Sequence, residues 1–247
     1  MNFYLWLAAG SAAGGFINGL AGFGTALFAL GFWLQVLPPT QAVSLIVIMS
    51  VVSGLQGVAL VRKNIREQPL RLSRFIIPGV LGIPIGVKLL SIASALTIKL
   101  TVAAFLIVYG GFILLRRDLP RLPRPKPIID CIVGFVGGIL GGAASLSGVL
   151  PTIWCTLQPW TKSEQRAVMQ LFNVLILGIA AAVYAISGYY SSQSVPLILI
   201  ALPITLISAQ VGIWAFKRLS DDQFRRLLVS LMFLSGLIIV VKEVLLS

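Results

Sequence analysis

The sequence predicts an all-α polytopic membrane protein made of two inverted four-element repeats, each a glycine-broken helical hairpin or re-entrant segment followed by three transmembrane helices. Three observations carry this. The first is composition: 58% of the 247 residues are hydrophobic and 11% are charged, and the mean hydropathy is +1.00. Uncharged runs of about twenty residues recur, the length that crosses a hydrocarbon core of ~30 Å as a helix. The second is a pair of apolar segments, 2–37 and 127–160, that are rich in glycine and too long for one crossing. The third is the placement of Lys and Arg between apolar runs rather than along one amphipathic face. The alternating segments of a membrane β-barrel are absent.

The elements follow in order. Segment 2–37 has 36 residues, and as one helix it would be about 50 Å long, so it must bend, break or turn back. Its glycines lie in GGFINGLAGFGTALFALGF, residues 14–32. Ordinary spans are expected at 41–61, 75–95 and 97–115, each suited to one crossing. RRDLPRLPRPKP, 116–127, then separates the halves as a basic, proline-rich linker. The second long segment, 127–160, is followed by spans at 167–186, 195–216 and 227–244. The expected division is a first transmembrane repeat at 1–115, a cytoplasmic linker at 116–127 and a second repeat at 128–247. The stretch MNFYLWLAAGSAAGG at the start lacks the basic n-region of a signal peptide and reads as mature structure.

The halves are internally similar. GFINGLAGFGT, from Gly15, lies on GFVGGILGGAA, from Gly134, at an offset of 119, matching Gly15, Phe16, Gly19 and Gly22 with Gly134, Phe135, Gly138 and Gly141. Further on, after a shift of six or seven residues, Ala42 and Val43 meet Ala167 and Val168, Pro78 meets Pro203, Gly86 meets Gly212, Ser94 meets Ser220 and Gly110 meets Gly236. The order and steady spacing argue for a duplicated unit. If each long segment is a hairpin, the loops at 62–74, 116–127, 161–166 and 217–226 share one side and hold 16 of the 19 Lys and Arg residues, leaving Lys88, Lys99 and Lys242 opposite. Single crossings would spread the charges more evenly, so the positive-inside rule favours hairpins, with both termini outside. Three spans plus a hairpin make an odd number of crossings, and the repeats are then inverted, which is a transporter architecture.

The glycines point to chemistry as well as topology. Non-helical backbone at membrane depth is tolerated where it is buried in protein or lines a wet cavity, and a helix that restarts there presents unpaired N–H groups that attract an anion. Two such breaks, one per repeat, would meet near the midplane. The candidate substrate-binding residues are Asn18, Gly22, Gly24 and Thr25 at the first break and Gly141, Gly142, Ser145 and Ser147 at the second. Gln170 and Asn173 join them, three apart on one helix face. Ser50, Ser53 and Gly57 form a small-residue stripe on the span after the first break. Gly15 with Gly19, and Gly134 with Gly138, also have the G-x-x-x-G spacing of close helix packing, and both readings hold together. No Lys, Arg or His is expected near the breaks.

Absences narrow the function. There is no histidine and no acid deep within an ordinary span, so a carboxylate or histidine proton relay is unsupported. A Ser–His dyad is impossible, no ligand cluster for a metal is evident, and the G-x-x-x-x-G-K-[ST] motif is missing, so no enzyme, cofactor or ATP-driven pump is expected. Cys131 and Cys155 read as buried packing residues.

At these residues the chain resembles the sulfite exporter TauE/SafE family, also called the 4-toluene sulfonate uptake permease family. The resemblance covers essentially the whole chain: the length, the duplicated four-element unit, the glycine-rich opening of each unit and the basic central loop. GFVGGILGGAASLSGVLP, Gly134 to Pro151, carries the motif of a G-x-x-x-G start, a glycine cluster and a later proline. The resemblance implies secondary transport of small anions, sulfite or organosulfonates foremost, at a midplane site between the repeats, with protons or sodium as coupling ions. An anion channel and a permease for small carboxylates remain open alternatives. The expected partners are the anion and the lipid bilayer of a bacterial plasma (inner) membrane, with no nucleic acid; a homodimer is left open.

Overall fold

The computed structural model describes residues 3–33, 35–92, 100, 103–104, 106–108, 110–111, 114–115, 126–186, 188, 190 and 194–241. The span expected at 97–115 is described only in part. The linker apart from its last two residues, Lys99, and Lys242 lie outside the described residues. Among the described residues every regular element is helical: α1 Phe3–Ala21, α2 Thr25–Trp33, α3 Pro39–Leu60, α4 Arg62–Glu67, α5 Pro69–Ile92, α6 Pro127–Ala144, α7 Val149–Thr156, α8 Lys162–Ile186, α9 Ser194–Arg218 and α10 Asp221–Val240. Three of them hold stretches long and apolar enough to cross a membrane: Gln41–Leu60 in α3, α8 and α9. α5 and α10 have charged first turns, and beyond Arg74 and Arg226 they carry no charge except Lys88 of α5.

Each overlong segment is split, and its two pieces lie side by side. Ala29 of α2 packs on Gly14 of α1, and the Trp33 indole reaches further back to donate to the Leu7 carbonyl at 3.0 Å. The second segment repeats the arrangement. Ser147 and Pro151 pack on Gly141 and Gly137, and the Trp154 indole donates to Asp130 Oδ1 at 2.6 Å. In both segments the return piece is therefore held by a tryptophan whose polar edge finds a partner on the outgoing helix.

The halves are joined through their first helices. α1 packs along α9, and α6 packs along α5. These contacts are backbone to backbone. A Cβ at Gly15 or Gly19 would collide with the carbonyls of Thr205 or Ala209, and one at Gly134 or Gly138 with those of Phe75 or Gly79. The G-x-x-x-G spacing thus serves close packing at both places. Gly212 lies against Phe16 as Gly82 lies against Phe135, so in these contacts Gly82 stands where Gly212 does, while the sequence register sets Gly86 there.

Polar contacts locate the basic segments. Arg71 pairs with Glu164 at 2.9 Å, and the Lys162 ammonium donates to the Leu219 carbonyl. Segments 62–74, 161–166 and the turn before α10 therefore share one end of the molecule. At the other end the Tyr190 hydroxyl donates to the Ser44 carbonyl at 3.3 Å. Cys155 is buried, Cys131 is half-buried, and both are free thiols.

Candidate functional site

The first break is built by two glycines. α1 stops at Ala21, and Gly22 and Gly24 take φ of 87° and 92°, left-handed values that strain any residue with a Cβ. The helix restarts at Thr25. The Gly22 N–H closes α1 on the Asn18 carbonyl at 2.8 Å. Asn18 ties this end to α3, donating through Nδ2 to the Ser50 carbonyl at 3.0 Å and to Ser53 Oγ at 2.6 Å.

The second break falls later than the glycine pattern predicts. Gly141 and Gly142 lie inside α6, and the turn runs through Ser145–Gly148. Ser145, with φ of 57°, is the one non-glycine residue in the left-handed region among the described residues. Its N–H donates to the Gly141 carbonyl at 3.0 Å, a left-handed (αL) helix ending, and the Leu146 N–H reaches back to the Leu140 carbonyl at 3.3 Å. Gly141 is small for a different reason: a Cβ there would sit 2.6 Å from Ile176 Cγ2 and 3.0 Å from Ser147 Cβ. Its role is packing against α8 and the turn.

The two breaks touch. A Cβ on Gly148 would lie 2.8 Å from the Cβ of Phe23, and around this contact is a small cavity between α3 and α8. Gly24, Thr25 and Ala26 line it from the first break, Ser145, Gly148 and Val149 from the second, and Ser50 and Asn173 from the middle of α3 and α8. Phe23, Leu146 and Leu177 supply apolar wall. Among the described residues, no charged side chain lines it. The space admits roughly one water molecule.

Its polar groups are incompletely paired. Thr25 Oγ1 and Ser145 Oγ are buried and have no hydrogen-bond partner among the described residues, an arrangement that costs free energy unless something else binds there. Asn173 is oriented by Ser147, whose hydroxyl donates to Asn173 Oδ1 at 2.9 Å and leaves the amide nitrogen as a donor. The first-turn N–H groups of α2 have no partner within that helix. α7 offers fewer, because Val149 N–H already bonds to Leu146 at 3.3 Å and Pro151 has none.

Of the residues expected from sequence, the cavity gathers Gly24, Thr25, Ser145 and Asn173. Asn18 and Ser147 stand behind it as braces. Gly22 and Gln170 face each other away from the lining, 3.1 Å from the would-be Cβ to Gln170 Oε1. Gly141 and Gly142 are removed from it by the later turn.

The profile of the sulfite exporter TauE/SafE family matches residues 6–239. The chain belongs to that family. No curated protein matches it. TauE/SafE proteins are membrane transporters rather than enzymes. In this TauE/SafE chain the matched residues include both breaks and every lining residue.

One residue overturns the expectation that no cation lies near a break. Arg166 is fully buried, and its guanidinium donates to the Gly19 carbonyl at 2.6 Å and the Leu20 carbonyl at 3.2 Å. These are the terminal carbonyls of α1, the negative end of its dipole. Read as part of a loop, Arg166 counts only as a topology signal. Its spacing from Gln170 and Asn173, at i, i+4 and i+7 on one helix face, is the mark that could have identified it. Arg225 makes a similar cap elsewhere, donating through Nε to the Thr156 carbonyl at 2.9 Å at the end of α7.

Proposed function

We propose that this TauE/SafE protein is a secondary transporter of small anions, sulfite or organosulfonate-type sulfur compounds foremost, working by alternating access at the cavity between its two breaks. One observation carries the reading: turns from both halves of the chain meet at a single buried site whose unpaired groups are hydroxyls and helix-start N–H donors. Such a site suits a small oxyanion, whose several acceptor oxygens can use neutral donors without burying a second full charge.

The proposed architecture is two inverted repeats at 1–115 and 128–247 joined by a cytoplasmic linker. Several features support it. Both long segments turn back on themselves, each first helix packs on the opposite half, and Arg71 meets Glu164 at 2.9 Å. Single crossings would put those two residues on opposite sides of the membrane. Alternating access then amounts to one half rocking against the other around the Phe23–Gly148 contact. The space holds roughly one water molecule, less than a sulfite ion, so the halves must part to admit substrate, which favours a carrier over an open channel with a continuous wet path. Small carboxylates share the donor requirements of sulfite, and protons or sodium are the candidate coupling ions. The deciding experiment is flux into proteoliposomes, comparing sulfite, sulfoacetate, thiosulfate and small carboxylates with and without a pH gradient. Saturable sulfite or sulfonate flux that responds to a gradient supports the proposal. Transport of carboxylates alone, or of none of these, refutes its substrate assignment.

A further inference from the structure

Arg166 is a fully buried cation, beside the first break, that the site described above does not explain. Its Nη atoms bind the Gly19 and Leu20 carbonyls and, at 3.3 Å, Gln170 Oε1. The guanidinium lies 4.4 Å from the centre of the Phe216 ring, and among the described residues its Nε–H has no acceptor. Among the described residues no carboxylate pairs with it. Glu164, two residues earlier, is held by Arg71 at 2.9 Å, Glu67 by Lys63 at 3.8 Å, Asp130 by Trp154 at 2.6 Å, and Asp221 accepts from the Lys162 N–H at 3.1 Å. A guanidinium without a counter-ion is costly inside a protein and more so inside a bilayer.

Resting on the transport reading of this cavity, we propose that Arg166 is a positioning residue whose missing counter-charge is the transported anion itself. The geometry explains how it acts without touching the substrate. Left bare, the carbonyls of Gly19 and Leu20 would turn the negative end of α1 toward the break. Arg166 covers them and adds one positive charge, so the break faces the cavity with the positive start of α2 and a net attraction for anions. A site of this kind discriminates by charge first, and by shape only through Thr25, Ser145 and Asn173.

The bland account is that Arg166 merely seals a helix end, and Gln170 separates the two. Gln170→Glu puts a carboxylate where Oε1 now accepts from Arg166, with almost no change of shape, so an internal ion pair takes the place of the substrate. Sulfite flux and sulfite-induced thermal stabilisation are measured on the full chain in proteoliposomes and detergent. The wild type should transport sulfite, while Gln170→Glu should stay folded, melt no lower and show a KM raised about tenfold or more. Gln170→Met, which adds no charge, should stay within about threefold of wild type, and Arg166→Lys should keep a lower KM than Arg166→Gln. A wild-type KM in Gln170→Glu, or an equal loss in Gln170→Met, overturns the proposal. If Gln170→Glu does not fold, equal KM values in Arg166→Lys and Arg166→Gln overturn it instead. Absence of sulfite flux in the wild type would strike the transport reading, a separate failure.

Discussion

Thr25→Val should weaken sulfite binding while leaving the protein at least as stable, and these two effects together distinguish a binding hydroxyl from a structural one. Thr25 is 3% exposed, its Oγ1 has no partner, and it opens α2 on the wall of the cavity. Valine preserves its shape. A buried hydroxyl left unpaired costs about 1–3 kcal/mol, so its removal should hold or raise the melting temperature. With an anion bound, the same hydroxyl would donate to a charged oxygen, a bond of about 1.5–3 kcal/mol, and losing it should raise the dissociation constant by roughly ten- to a hundredfold. Ser145→Gly is the companion change, since it removes a second unpaired hydroxyl and relieves the left-handed φ of 57°. Binding is read by sulfite-dependent thermal shift or calorimetry in detergent, and stability by melting without sulfite. Unchanged affinity in both variants would refute the assignment of these hydroxyls to the substrate. Lower stability with unchanged affinity would make them structural.

Other expectations follow from the same geometry. Ser147→Ala should raise the KM about five- to thirtyfold, because Asn173 loses the bond that orients it; this corresponds to ~1–2 kcal/mol and is checked by initial-rate flux. Gly19→Leu should prevent assembly of α1 with α9, seen as loss of monodisperse protein in size-exclusion chromatography, since even a Cβ there collides with the Ala209 carbonyl. Gly141→Ala should lower the melting temperature with little effect on KM, because its clash is with Ile176 and Ser147 rather than with the cavity. In a background lacking Cys131 and Cys155, single cysteines at Leu119 and Ser220 should label from the cytoplasm and one at Ser192 from outside; labelling of the first two from opposite sides would contradict the inverted arrangement.

Much of the fold was legible because membrane physics leaves large traces in sequence. A segment of 36 residues cannot be one crossing, and the structure breaks it at Gly22 and Gly24. The Gly15–Gly19 and Gly134–Gly138 spacings foretold the two close helix contacts. The second break was misplaced because glycine marks two different needs, left-handed backbone and close approach, and sequence does not separate them. Gly141 serves packing against Ile176, while the left-handed position is filled by Ser145, a type that seldom adopts it. The buried polar residues were harder still. Ser145 and Ser147 were both foreseen, yet only one lines the cavity, and the other braces Asn173. Arg166 escaped because charges at the edge of an apolar run usually lie in headgroups or water, and only tertiary contact with Gly19 and Leu20 draws it inside.

The claim at the centre is that both breaks together form one anion site, and selenite, a heavier analogue of sulfite, tests it most directly. Crystals or vitrified samples of the full chain with selenite should show a single selenium peak between Thr25 and Ser145, within hydrogen-bond reach of both and of Asn173, and the peak should fade in Thr25→Val. A selenium peak away from the Phe23–Gly148 contact, bound to one half alone, would contradict the account.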